Sequence, residues 1–186
     1  MFLRGMTMMM VGHSTLSIED FLHALRENGC RLLVDVRRYP GSRRYPQFGQ
    51  TALFASLAAH GIEGVWREGL GGRRKALSDS VNDGWREESF RGYADYMQTP
   101  EFEREMEWLA GRDDLRTVAV MCAEAVPSRC HRSLIADAML VRGMEVENLF
   151  IEAGGRSYFK RHAMTSFAKV EGGRRLWYPG EGGLFG

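Results

Sequence analysis

The chain has 186 residues, of which 44% are hydrophobic and 26% are charged. Its length and composition are those of a globular protein with a sizeable core, and they exclude a disordered or fibrous chain. The formal net charge of +1 excludes no class of partner. No run approaches the roughly 20 apolar residues of a membrane span, so we expect no membrane partner.

The three cysteines favour a reducing compartment. Cys30 stands alone, and Cys122 and Cys130 are close together, which does not fit a disulfide framework. The apolar start of the chain is brief and lacks a small-residue cleavage site, so we interpret residues 6–11 as a buried strand rather than as part of a signal peptide. We expect a cytoplasmic protein.

Predicted strands and helices alternate along the chain. After the first strand comes the turn Gly12-His13-Ser14, and then a helix that Ser17 caps and Gly29 ends. The later elements are predicted in this order: a strand within 31–36, a loop over 37–49, a helix over 50–60, a short strand over 62–66, an irregular region to about 88, a helix over 90–109 that breaks near Pro100, a strand over 115–121, a helix over 128–142 and a strand over 144–151.

This order predicts the α/β class, as one three-layer, Rossmann-like domain over residues 1–186 with a mainly parallel sheet flanked by helices. The strand over 144–151 is expected to close the sheet. From about residue 152 the pattern is less regular, and the tail over 178–183 is predicted to be flexible.

Polar residues follow three of the predicted strands. They are Gly12-His13-Ser14 after the first, Asp35-Val36-Arg37 after the second and Cys122-Ala123-Glu124 after the later one. Ligands of parallel α/β sheets bind at the carboxyl ends of the strands. If these strands are neighbours, their polar side chains share one edge and form a composite site.

Cys130 and His131 come shortly after. With Ser128 as a helix cap, both residues lie in the first helical turn, where the helix dipole favours a thiolate. The alternative is that Cys130 is a small buried residue, and the sequence leaves both interpretations open. For Cys122, burial is at least as well supported as reactivity, and Cys30 is predicted to be a packing residue.

Two kinds of thiol chemistry fit the spacing poorly. Cys122, Cys130, His131 and His13 offer four soft ligands for Zn²⁺, but Cys-x7-Cys-His is not a standard ligand spacing. We therefore assign no metal ligands and keep a structural metal site as a third hypothesis. A thiol phosphatase-like or sulfur-carrier loop would need an arginine six positions after Cys122. Arg129 lies seven positions after it, and the loop contains a carboxylate and no glycine.

Basic and aromatic residues are interleaved in the predicted loops. Arginines of this kind bind phosphate, and aromatic rings stack on bases. The alternative is a solvated loop whose rings fold back onto the core. The residues are Arg37, Arg43, Arg44, Arg73 and Arg74, with Tyr39, Tyr45, Phe48 and Trp66.

Taken together, these motifs resemble the domain of unknown function 488 family, over about residues 8–150. The resemblance implies a compact α/β domain with a polar site built from the motif residues, and it implies no substrate. The matching motifs are Gly12-His13-Ser14, Asp35-Val36-Arg37, Leu70-Gly71-Gly72, the segment 90–97, Cys122-Ala123-Glu124, Pro127 and Cys130-His131-Arg132.

We therefore expect an enzyme that acts on an anionic, phosphate-bearing or nucleotide-like ligand. The alternatives are a non-catalytic nucleic-acid or nucleotide binding module that uses the loop 37–48, and a thiol phosphatase-like or sulfur-carrier activity. No particular cofactor is indicated. The predicted catalytic residues are Cys122, Glu124, Cys130, His131 and His13. The predicted ligand-binding residues are Ser14, Asp35, Arg37, Arg132, Arg43 and Tyr93.

Overall fold

The computed structural model describes residues 7–181, which are built around a six-stranded sheet. Its strands, in chain order, are β1 (Thr7–Gly12), β2 (Leu32–Asp35), β3 (Glu63–Trp66), β4 (Val118–Cys122), β5 (Glu145–Ile151) and β6 (Ser157–Arg161). Their spatial order is β3-β2-β4-β1-β5-β6, and all neighbours are parallel except β5 and β6. Two further strands, β7 (Lys169–Glu171) and β8 (Arg175–Trp177), form a separate antiparallel pair.

Helices cover both faces of the sheet, which confirms the predicted three-layer α/β architecture. They are α1 (Ile18–Glu27), α2 (Gln50–Ala59), α3 (Glu88–Tyr96), α4 (Pro100–Ala110) and α5 (Arg132–Leu140). One apolar core lies between the sheet, α1 and α2, and the other lies between the sheet and α3 to α5. Alternate residues of β1 point to opposite cores, so both sets must be apolar, as in a parallel sheet covered on both faces.

Several helix boundaries follow their local signals. The hydroxyl of Ser17 accepts a hydrogen bond of 3.1 Å from the amide of Asp20, as predicted for a cap of α1. The predicted break near Pro100 is also confirmed, because Pro100 is the first residue of α4 and Thr99 caps it. Within residues 7–181, no helix is both long and apolar enough to cross a membrane.

The start of α5 differs from the prediction. Pro127–Arg129 form a 3-10 turn that the amide of Cys130 closes on the carbonyl of Pro127, and Cys130 is extended, with φ −133° and ψ 141°. The helix therefore begins at Arg132. The prediction that Cys130 and His131 lie in a first turn capped by Ser128 is wrong. Ser128 has the residue type of a helix cap, but it lies within a 3-10 turn that ends before the helix starts.

The C-terminal part also corrects the prediction. β5 does not close the sheet, because β6 pairs with its outer side. The side chains of β6 are largely exposed, so the strand lacks the apolar alternation that would reveal it in the sequence. Tyr178, predicted to begin a flexible tail, is fully buried. Residues 182 and 183 of that tail lie outside the described residues, as does Met6 of the first predicted strand.

Candidate functional site

The three strands that end in polar residues are neighbours, in the order β2-β4-β1. Gly12 is in register with Cys122, and Asp35 is in register with Met121. Backbone hydrogen bonds continue beyond the strands, from the amide of His13 to the carbonyl of Cys122 at 3.1 Å and from the amide of Val36 to the carbonyl of Met121 at 3.0 Å. The three strand ends therefore lie side by side at one edge of the sheet, as expected for neighbouring strands.

Gly12 allows the end of β1 to pack closely against the segment that follows β4. A Cβ at Gly12 would lie 2.0 Å from the carbonyl oxygen of Glu124, so only glycine fits between the end of β1 and the segment after β4. Two positions later, Ser14 has a φ of 46°, a left-handed conformation that is uncommon for a residue other than glycine. Ser14 lines a neighbouring cleft of about 340 Å³ with Ser17 and Asp20.

Asp35 and Arg37 form a buried ion pair. Arg37 donates from Nε to one carboxylate oxygen of Asp35 at 2.9 Å and from Nη2 to the other at 2.6 Å. Its Nη1 donates to the carbonyl of Phe48 at 2.7 Å, which ties the loop 37–49 to the edge. These contacts engage Nε and one hydrogen of each terminal nitrogen, and they hold the guanidinium of Arg37 in place within the fold.

His13 is also enclosed. Its ring is 2% exposed and stacks on Phe48 with a centroid distance of 4.2 Å. Nδ1 lies 2.9 Å from the carbonyl of Ser14, and Nε2 lies 3.5 Å from Nη1 of Arg37. Burial, with a contribution from the nearby Arg37 charge, lowers the pKa of His13 to about 4. The imidazole is therefore neutral at pH 7, with Nδ1 as donor and Nε2 as acceptor.

The thiols of Cys122 and Cys130 lie next to the imidazole of His131. One ligand atom each from Cys122, Cys130 and His131 lies within 4.8 Å of the others. Cys122 is partly exposed at the end of β4, and Cys130 is 4% exposed. Sγ of Cys130 is 3.7 Å from Nδ1 of His131, and Nε2 of His131 is 3.2 Å from the carbonyl of Val36. The turn before α5 brings these groups together.

The two thiols interact strongly. A hydrogen bond from Cys122 lowers the pKa of Cys130, with further help from His131 and Arg132 and against the effect of burial. The same hydrogen bond, together with burial, raises the pKa of Cys122. The two thiols therefore titrate as a pair, and the loss of a proton from one makes its loss from the other less favourable.

Arg132 is buried beside these thiols, at 2% exposure. Its Nη2 donates to the carbonyl of Glu124, and its Nε has no hydrogen-bond partner among residues 7–181. The carboxylate of Glu124 is partly exposed and accepts a hydrogen bond of 3.0 Å from the amide of Val126. The site thus combines a buried cation with an accessible carboxylate.

Two other residues that were predicted to bind a ligand, Tyr93 and Arg43, differ in their exposure to solvent. Tyr93 is fully buried, and its hydroxyl donates to the carbonyl of Leu70 at 2.9 Å. Its ring centroid is 5.0 Å from that of His131, so Tyr93 packs behind the imidazole. Arg43 is exposed in the loop 37–49. The buried hydroxyl of Tyr93 indicates a supporting role, whereas Arg43 is accessible to a ligand.

Gly72 and Arg73 lie beside the cluster. The sequence placed Gly72 in a family motif and Arg73 among the basic loop residues, but it did not predict that this loop contacts His131. A Cβ at Gly72 would lie 2.8 Å from Nδ1 of His131, so the glycine lets this loop pack against the imidazole. Arg73 follows with a φ of 55°, and its guanidinium is 5.6 Å from the ring centroid of Tyr39. The adjacent glycines of Leu70-Gly71-Gly72 were the only local signal for this close approach.

Comparison with known proteins gives a family. The family described as "Domain of unknown function DUF488" matches residues 17–139, well over half of the chain. Neither the curated proteins nor the solved structures gave a match. The matched region contains Asp35, Arg37, Gly72, both clustered cysteines and His131. The chain belongs to the DUF488 family.

Proposed function

We propose that this chain is an enzyme that acts on an anionic, phosphate-bearing or nucleotide-like ligand at the carboxyl edge of its sheet. Arg132 carries the proposal. Its guanidinium is buried near Cys122 and Cys130, and within residues 7–181 it has no carboxylate partner and an unused Nε donor. A buried charge of this kind is costly unless something pairs with it, and a bound anion would do so.

Exposed arginines around the cluster support an anionic ligand. Arg129 directly precedes Cys130, and Arg73 directly follows the glycine that packs on His131. Both side chains are exposed, and neither takes part in a salt bridge within the described part of the chain. The strained backbone of Arg73 is of the type that collects at functional sites. These charges attract and orient phosphate oxygens.

The geometry favours Glu124 over His13 for proton transfer. Glu124 is partly exposed on the same segment as Cys122. The His13 imidazole is enclosed between Phe48 and Arg37 and stays neutral at pH 7. A general acid or base must reach its ligand, which Glu124 can do without rearrangement.

A nucleic-acid or nucleotide binding module is the second candidate. Tyr39 is 67% exposed beside Arg73, and Trp66 is 37% exposed at the end of β3. Aromatic rings next to arginines stack on bases. This candidate predicts binding without turnover, and binding that weakens steeply with salt.

A thiol phosphatase-like or sulfur-carrier activity has less support. Such a site surrounds an accessible thiolate with the backbone amides of a helix start. Here Cys130 is almost fully buried, Pro127 has no amide hydrogen, and α5 begins only at Arg132. The loop therefore lacks a ring of amides around the sulfur.

A ligand panel tests the proposal. The full chain is screened by thermal denaturation with inorganic phosphate, pyrophosphate and nucleoside mono-, di- and triphosphates, and each ligand that raises the Tm is followed by ³¹P NMR for turnover. Arg73→Gln and Arg129→Gln are each expected to weaken apparent affinity roughly tenfold, because each removes a charge-assisted contact.

The matched control is Arg104→Gln on α4, where an equally long, exposed arginine pairs with Glu101. It should leave affinity unchanged. The proposal fails if no phosphate compound raises the Tm of the wild type, or if Arg104→Gln weakens binding as much as the other two. Salt-dependent oligonucleotide binding without turnover of any ligand would favour the second candidate.

A further inference from the structure

The cluster of Cys122, Cys130 and His131 combines two sulfur donors and one imidazole. Thiolate and imidazole ligands select Zn²⁺, whereas Mg²⁺ and Ca²⁺ require oxygen ligands, and the cluster contains no carboxylate. We propose that these three residues bind one zinc ion. The ion binding stands on this geometry alone; the catalytic role given to the ion rests on the function proposed above.

The histidine is oriented for a metal. Nε2 of His131 lies 3.2 Å from the carbonyl of Val36, an acceptor, so Nε2 carries the hydrogen and donates it. Nδ1 then presents its lone pair toward the sulfur of Cys130. Metal-binding histidines commonly use the second ring nitrogen in this way, which fixes both tautomer and ring orientation. Tyr93 packs against the ring, and Gly72 approaches it most closely near Nδ1, where a larger side chain would occupy the space.

The spacing of the ligand atoms matches a tetrahedral ion. Bonds of about 2.3 Å to sulfur and about 2.0 Å to nitrogen place tetrahedral ligand atoms roughly 3.5–3.8 Å apart. Sγ of Cys130 is 3.7 Å from Nδ1 of His131, and the whole group lies within 4.8 Å. The distances to the Cys122 sulfur must shorten by at most about 1 Å to reach the same spacing.

The charge also balances. Each thiol releases one proton to solvent when it binds Zn²⁺, so two thiolates, one neutral imidazole and one Zn²⁺ form a neutral centre. The nearby Arg132 then keeps its positive charge for an anionic ligand. A neutral metal centre beside an arginine is more tolerable than two thiolates or a bare cation in the same buried place.

The described residues supply three ligands to this centre. Among residues 7–181, no fourth histidine, cysteine or carboxylate joins the cluster, and Cys122 is partly exposed. Zinc sites with three protein ligands keep their last position for water or substrate, as catalytic sites do. An oxygen of the anionic ligand would be polarised there, within reach of the positive charge of Arg132.

Metal content is the first test. The full chain, produced without a metal-binding tag, is expected to contain about one zinc ion per molecule when it is analysed by inductively coupled plasma mass spectrometry. Cys122→Ser and His131→Gln should each lose most of it. Cys30→Ser is the matched control, because Cys30 is a buried thiol with its own contact, 3.5 Å from the carbonyl of Leu32, and is not in the cluster. It should retain the zinc.

Cobalt substitution distinguishes the loss of a metal ligand from the misfolding of a variant. The wild type is stripped with a chelator, its fold is checked by circular dichroism, and Co²⁺ is added. Two thiolate ligands should give a strong thiolate-to-cobalt charge-transfer band. With Co²⁺ in excess, Cys122→Ser that keeps the native dichroism should give at most about half that intensity, because one thiolate is missing, and Cys30→Ser should give the full intensity.

The proposal is overturned if the reduced wild type holds no zinc and gives no cobalt band, or if Cys30→Ser loses the metal as readily as Cys122→Ser. The two proposals fail in different ways. Stoichiometric zinc in a chain that binds no phosphate compound retains the metal site and rejects the proposed function. Equal turnover by the stripped and zinc-loaded chains retains the function and rejects the role given to zinc.

Discussion

His13 is an imidazole that the fold holds in its neutral form. Burial lowers its pKa from 6.5 to about 4, and its two ring nitrogens already contact Ser14 and Arg37. In the unfolded chain His13 takes up a proton below about pH 6.5, whereas in the native state it resists protonation until about pH 4. Its protonation therefore favours the unfolded chain in that interval.

We predict a pH-dependent stability contribution from this residue. Above pH 6.5 the residue is neutral in both states, and titration costs no stability. As the pH falls to 4, the free energy of unfolding decreases by up to about 3 kcal/mol, because a shift of one pKa unit corresponds to about 1.4 kcal/mol. His13→Gln keeps a donor and an acceptor but cannot titrate. Urea unfolding at pH 7 and pH 4.5 should give a smaller difference for His13→Gln than for the wild type. Equal differences would contradict the prediction.

The sequence predicted the positions of single residues better than the contacts of their side chains. The sequence predicted that His13, Asp35 and Cys122 lie at one edge of the sheet, because apolar runs show where the strands end. It also favoured a ligand contact for Arg37, whose guanidinium lies against Asp35 and Phe48. The direction in which a long side chain points depends on the loop packed around it, and spacing along the chain does not contain that information.

At the scale of elements, the site depends on the close contact between the end of β1 and the segment after β4. Gly12→Ala would place a methyl group 2.0 Å from the carbonyl oxygen of Glu124. The obstacle is backbone, so one of the two segments must move. We predict a loss of at least about 3 kcal/mol in the free energy of unfolding, at the upper end for overpacking.

Gly41→Ala is the control for this change. A Cβ at Gly41 meets no atom within 4 Å, and the glycine does not have a positive φ. Its effect should stay within about 0.5 kcal/mol, as for most surface substitutions. Chemical denaturation measures both variants. A Gly12→Ala protein as stable as Gly41→Ala would show that this contact is not rigid.

The elements that were predicted correctly have strong local signals. α1 has a capping serine, and α4 begins at Pro100. The start of α5 was placed too early because Ser128 resembles a cap, although a 3-10 turn and an extended Cys130 precede the helix. The cysteine cluster depends on this turn. Its ligand spacing therefore looked unsuitable in the sequence, and only the fold reveals the three atoms as neighbours.

For the whole molecule, buried polar groups tie the C-terminal segment to the domain. Asp137 on α5 accepts hydrogen bonds from Nε2 of His162 at 2.8 Å, from the amide of Thr165 at 3.2 Å and from the hydroxyl of Tyr178 at 3.0 Å. Asn82 accepts from the amide of Tyr178 at 2.9 Å. The segment that lacked a regular sequence pattern is thus held by polar contacts between distant parts of the chain.

Asn82 extends this network toward α3. Its side-chain amide donates to Asp95 at 2.8 Å, and the same carboxylate accepts from the hydroxyl of Ser80 and the amide of Leu77. One buried carboxylate therefore holds residues 77, 80 and 82 of the irregular region before α3, and that region begins with the glycine and arginine that flank the cysteine cluster. The loop that packs on His131 is held separately, by the hydroxyl of Tyr93 on the carbonyl of Leu70 and by Nε of Arg74 on the carbonyl of Gly71.

Tyr178→Phe tests how much this network contributes to stability. The change removes one hydroxyl and leaves a fully buried oxygen of Asp137 without that donor. We predict a loss of about 1–3 kcal/mol, the usual cost of an unsatisfied buried group. Tyr158→Phe removes the same atom from a ring that is 44% exposed, so it should change stability by less than about 0.5 kcal/mol. Urea unfolding of the three proteins measures both differences. If the two variants are equally stable, the hydroxyl of Tyr178 does not hold the C-terminal segment in place, and the packing of its ring must do so alone.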